Sequence, residues 1–92
     1  MIAKIVKITD LEGKPKTDGR YPLRVDAIVD AYPAIVGQRL NMNYIADGEG
    51  NLKFGVLSTS TVQDVENEAD GTIKVTTRNS VYVLKELAGS HV

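Results

Sequence analysis

Cysteine and tryptophan are absent from this chain, histidine occurs once, and phenylalanine once. Without cysteine there is no disulfide staple, no thiolate zinc site and no cysteine nucleophile. Small secreted domains usually rely on disulfides, so a cytoplasmic location is expected. The single histidine, His91, stands next to the last residue, where chain ends rarely provide the rigid frame a general base needs. Serines 58, 60, 80 and 90 therefore lack a partner for a catalytic triad. Neither a G-x-G-x-x-G nor a Walker pattern occurs. The expectation is a protein that is not an enzyme, with no catalytic residue and no cofactor. No run approaches the roughly 20 apolar residues of a membrane span. The opening run Met1–Ile8 is interrupted by Lys4 and Lys7, which is not the pattern of a signal peptide.

What remains is an ordinary globular composition, 42% hydrophobic and 25% charged over 92 residues. A chain of this size forms one domain, residues 1–92, of modest stability, for which homo-oligomerisation would help. The net charge is −1. Residues 1–40 hold seven Lys/Arg against five Asp/Glu, and residues 41–92 hold four against seven. Neither half carries the basic stripe of a general nucleic-acid binder.

Strand signals dominate. Tyr21, Leu23, Val25, Ala27 and Val29 alternate with polar residues, as do Leu40, Met42 and Tyr44, then Leu52, Phe54 and Val56, then Ile73 and Val75. Residues 2–9 are β-branched, but their lysines are three apart, which predicts a strand with a bulge. The run Val81–Leu87 is apolar on both sides at its start, as in a strand that closes a barrel. Asp47–Asn51 and Asn67–Gly71 have the composition of hairpin connections. Leu11–Gly19 is a long polar loop, and Pro33 makes Ala31–Gly37 an irregular connection. The prediction is all-β: a small SH3-like barrel of five to seven short antiparallel strands, with either a short 3₁₀ turn or a tight hairpin at Asn79-Ser80. An OB-like barrel is the alternative, although it would carry a helix that the pattern does not show.

The densest polar chemistry lies in Thr59-Ser60-Thr61 and Thr77-Arg78-Asn79-Ser80. Hydroxyls, an amide and a guanidinium bind anions, with Arg78 the expected anchor and Tyr82 or Tyr44 available to stack on a ring. Threonine is also simply a good strand residue, and Asn-Ser a turn dipeptide. Arg20, Arg24 and Arg39, with Lys14 and Lys16 nearby, form a second, basic cluster that could face phosphate. Asp18, Asp26 and Asp30 are placed to neutralise it, and surface ion pairs are the common outcome. Tyr21, on the face of Leu23 and Val25, is expected in the core. Asp47-Gly48-Glu49-Gly50-Asn51 begins like a calcium loop, but Leu52 stands where glycine is required and no glutamate follows at the right distance, so no metal site is expected. Asp64 and Glu66 alternate as on a solvated strand face.

The motifs Leu57–Val62 and Thr77–Tyr82, with Arg20–Arg24 and Val36–Leu40 upstream, resemble those of short small-barrel proteins encoded by bacteriophages and bacterial mobile elements. The resemblance implies an accessory role, inhibiting host defence by holding a host protein or a signalling nucleotide. Binding of an anionic small molecule or a host protein is thus expected, with a nucleic-acid-binding barrel or a virion assembly component as alternatives. In the last of these, Tyr82, Val83 and Leu84 would be exposed at a subunit interface. The few aromatics argue against a proline-peptide SH3 groove.

Overall fold

A computed structural model describes residues 1–87, and His91 lies outside them. The chain forms six strands and one short helix: β1 (Ile2–Thr9), α1 (Tyr21–Arg24), β2 (Ile28–Ala31), β3 (Arg39–Ala46), β4 (Val56–Asn67), β5 (Thr72–Thr77) and β6 (Val81–Glu86). Each strand pairs antiparallel with its neighbours in sequence, and β6 returns to pair with β1, closing the barrel. The expected all-β barrel is therefore present, with six strands. β5 and β6 are joined by a tight hairpin through Arg78–Ser80 rather than by a 3₁₀ turn.

The core is the inward set of each strand: Ala3, Ile5 and Ile8, then Val29, Leu40, Met42, Val62, Val75 and Leu84. The bulge expected in β1 lies between Ile5 and Lys7. It resets the pleat, so that Ile5 and Ile8 both face inward while Val6 and Lys7 face solvent, which explains lysines spaced by three. β6 has a neighbour on each side, and Tyr82 and Leu84 are buried in their own barrel. The exposed apolar face expected of this strand does not form, and Val83 is only partly exposed.

Two segments depart from the strand pattern. Tyr21–Arg24 is helical, with Pro22 in the first turn, where its missing N–H costs nothing. The chain leaves the helix at Val25, which is extended, and passes through Asp26 at φ 69 before β2. Leu52 makes an isolated bridge with Ala46, and of the Leu52, Phe54 and Val56 set only Val56 belongs to a strand. The Asp47–Asn51 hairpin is as expected. The Asp47 carboxylate accepts from the Glu49 and Asn51 amides, a turn function that accounts for its calcium-like composition.

β4, at 12 residues, is the longest strand. Its first half pairs with β3 and its second with β5, and the register breaks in both ladders, opposite Arg39/Asn41 and at Val62/Asp64. Two irregularities so close together bend the strand sharply and let one strand serve both neighbours of the closed sheet.

A prediction concerns Asp26, among the described residues the one non-glycine residue in the left-handed region. Asp26→Val should destabilise the fold by about 1–2 kcal/mol, because a β-branched side chain is strained at that φ. Asp26→Gly should stay within about 0.5 kcal/mol of the parent, since the only ion pair lost, to Lys4, is exposed. Urea unfolding midpoints distinguish the two.

Candidate functional site

The bend in β4 projects Ser58, Thr59 and Ser60 toward the β5–β6 hairpin and toward α1. The opened ladder leaves backbone groups to be satisfied, and hydroxyls supply the partners. Thr59 is 4% exposed; its Oγ1 accepts from the Leu40 amide at 3.1 Å and donates to the Ser60 carbonyl at 2.7 Å. Thr77 Oγ1 donates to the Ser80 carbonyl and accepts from the Ser80 amide, closing the hairpin. The Asn79 amide donates to Ser60 Oγ, and the Arg78 amide donates to the Thr61 carbonyl. Thr59 and Thr77 thus use their hydroxyl protons to hold the architecture.

These elements border a cleft of about 300 Å³, lined by Tyr21, Arg24 and Arg39 together with Ser58, Thr59, Ser60, Thr77, Asn79, Ser80 and Tyr82. The cleft therefore joins members of two clusters that are separate in sequence. Thr59, Thr77, Asn79, Ser80 and Tyr82 line it as the sequence suggested, as do Arg24 and Arg39. Thr61 does not reach it. Arg78, the expected anchor, lines a different opening with Lys16, where Asp10, Glu12 and Asp18 outnumber the two cations. Arg20 and Tyr44 line a neighbouring cleft instead. Tyr82 is buried, so its ring cannot stack on a ligand and only its hydroxyl end meets the site.

α1 is the part that sequence patterning missed. Its residues Tyr21 and Arg24 are three apart and so share a face. The Arg24 guanidinium lies 4.8 Å from the centre of the Tyr21 ring and donates from Nη1 to the Tyr82 hydroxyl at 3.1 Å. Lys16, from the long loop, lies 4.2 Å from the same ring centre and donates to Ser80 Oγ at 3.2 Å. Ser80 Oγ in turn donates to the Tyr21 hydroxyl at 3.4 Å. Tyr21 packs against the core edge and is half-buried rather than fully internal. A proline three residues after Gly19 was the available signal for a helix start here.

The expected neutralisation of the arginines does not occur. Asp26 pairs instead with Lys4, and Asp30 with the N-terminal ammonium. Arg39 is exposed and, among the described residues, makes no side-chain hydrogen bond or ion pair. Among the described residues, no carboxylate lines the cleft. The tyrosines register this field. The Ser80 hydrogen bond, reinforced by Lys16 and Arg24, draws the Tyr21 hydroxyl below its ordinary value of 10.0. Burial pushes Tyr82 above its ordinary value, with Arg24 opposing. Burial likewise raises Tyr44.

Among the described residues, no group of three His, Cys, Asp or Glu side chains is placed to hold a metal ion, and no helix is long and apolar enough to cross a membrane. Compared with known proteins, the chain matches no family model, no curated protein and no solved structure.

Two predictions follow from the geometry. Thr59→Val should cost about 1–3 kcal/mol in unfolding free energy by stranding the buried Leu40 amide, while Thr59→Ser should recover most of it. In an alkaline titration followed by tyrosinate absorbance, Tyr21 should ionise below its ordinary value of 10.0 and Tyr82 above its own. Tyr21→Phe should remove the earliest phase. Because the folded state favours the ionised Tyr21, that group adds stability above its unfolded pKa, and the gain disappears as pH falls through the lowered folded value.

Proposed function

We propose that this barrel is a binding module whose cleft between α1, the bend of β4 and the β5–β6 hairpin captures an anionic group, a phosphate or a carboxylate. The observation that carries this reading is a pair of arginines, Arg24 and Arg39, in the cleft wall with no carboxylate beside them, in a protein of net charge −1. Uncompensated guanidiniums are costly to assemble without a partner. They form strong, bidentate hydrogen bonds to planar or tetrahedral oxyanions.

The roles divide by environment. Arg24 is held in place by Tyr21 and Tyr82, so little freedom is lost when it engages a ligand. Arg39, which has no side-chain partner among the described residues, meets the anion from β3. Ser58 and Ser60 at the bend and the side-chain carboxamide of Asn79 supply neutral donors. Thr59 and Thr77 shape the wall without touching the ligand through their protons, which are already committed. In the phage context suggested by the sequence, such a module would hold an anionic effector rather than convert it.

Isothermal titration with pyrophosphate tests the proposal, using Arg39 because its removal disturbs no internal bond. Arg39→Ala should weaken binding roughly tenfold or more, the scale of a lost hydrogen bond to a charged group. Arg39→Glu should abolish it with an unchanged melting temperature. Arg78→Ala, outside the cleft, should bind as the parent does. Equal affinity in the parent and Arg39→Glu would sink the assignment.

A further inference from the structure

A second opening of about 440 Å³ adjoins the anion cleft, and Arg24 lines both. Among the described residues, its wall holds Arg20, Arg24 and Lys53 and no carboxylate, together with Leu23, Tyr44, Phe54 and Val56, while Lys53 also borders a further opening lined by Asp47 and Glu49. Phe54 is 87% exposed. An isolated exposed phenylalanine is unremarkable on a floppy loop, but this one is held on both sides. The Lys53 amide donates to the Ile45 carbonyl at 3.1 Å, and the Tyr44 amide donates to the Gly55 carbonyl at 2.9 Å. Gly55 adopts φ +123, a conformation open to glycine, so the chain is set to turn Phe54 outward before entering β4. The Lys53 ammonium is parked 4.3 Å from the Tyr44 ring centre, which keeps a cation at the rim.

Resting on the anion-binding reading, we infer that the ligand is a nucleotide, with its phosphate at Arg24 and Arg39 and its base stacked on Phe54 in the second opening. An aromatic side chain presented to solvent from a backbone held on both sides, bordered by three cations and continuous through Arg24 with a phosphate-type seat, is the combination that recognises a base joined to a phosphate. Stacking is tolerant of base identity, so specificity would come from the rim. An apolar protein partner would fit Leu23, Phe54 and Val56 but would leave Arg20, Arg24 and Lys53 facing it without counter-charge. The same nucleotide chemistry is presented by a free mononucleotide and by single-stranded nucleic acid.

The test compares pyrophosphate, AMP and the oligonucleotide dT12 as ligands for the parent, Phe54→Ala and Phe54→Tyr in titration calorimetry. Phe54→Ala should leave pyrophosphate affinity unchanged and weaken nucleotide affinity roughly tenfold, the scale of one lost stacking contact. Phe54→Tyr should retain it. Dependence on Phe54 with AMP identifies a free nucleotide as the ligand source, and dependence seen only with dT12 identifies a single strand. If pyrophosphate binds and Phe54→Ala changes neither nucleotide, the inference is overturned while the anion cleft stands. If pyrophosphate and both nucleotides fail to bind the parent, the anion cleft and this inference fail together.

Discussion

The structure turns on the bend in β4. A closed sheet of six short strands has no free edges, and closing it requires tilted strands whose register is staggered between neighbours. β4 does this within a few residues, by breaking register against β3 and then against β5. Each break disturbs ladder pairing, and buried backbone groups must find partners elsewhere. Threonine and serine are suited to such a place, being compatible with strand geometry and carrying a hydroxyl that both donates and accepts. The hydroxyl-rich run at Thr59–Thr61 is therefore first a solution to barrel closure. Its second consequence is spatial, because the bend opens a concave wall opposite the β5–β6 hairpin, where α1 lays Tyr21 and Arg24.

Charge follows a similar local logic. Five aspartates are occupied with short-range tasks. Asp10, Asp47 and Asp70 accept hydrogen bonds from their own turns, which hold their carboxyls below the ordinary 3.8, with the Lys14 and Asn51 amides and the Thr72 hydroxyl as the leading causes. Asp26 and Asp30 pair with cations of β1 and the N-terminus. An overall balance near zero is thereby compatible with a strongly cationic strip across two adjoining clefts. Net charge describes the far field of a protein, whereas a cleft responds to its own lining.

That difference also explains how much could be read from the sequence. Periodicity identified most of the strands, the bulge in β1 and the two hairpin connections, because those features are written within a few residues. It misassigned Tyr21–Arg24, where an accidental alternation outweighed Pro22 and Gly19. It brought out the Thr59–Ser80 constellation yet chose Arg78 as its anchor, since Arg78 is adjacent in sequence to Thr77 and Asn79. The guanidinium that meets Tyr82 is Arg24, 58 positions away, and the hydroxyl of Ser80 meets Tyr21 across 59. No local pattern encodes such contacts. The expected ion pairs failed for the same reason: Asp26 is near Arg24 along the chain, but its left-handed backbone turns it toward Lys4.

The organisation of the cleft favours recognition by a fixed frame rather than by closure. Arg24 is immobilised through Tyr21, itself tied by Ser80 to the hairpin, and Lys16 links the long loop to the same serine. The long loop through Lys16 and the hairpin through Ser80 thus converge on the tyrosine that holds Arg24. Loss of either would loosen a guanidinium that is otherwise ordered before a ligand arrives, and ordering in advance is what raises affinity at constant contact area. Arg39 and Phe54, by contrast, stand exposed at the two margins, one partnerless and one presented by a glycine turn. A rigid central cation flanked by an available cation on one side and an available ring on the other can grip a ligand at two chemically distinct ends. Discrimination then depends on the ligand having both ends, because either contact alone would be weak.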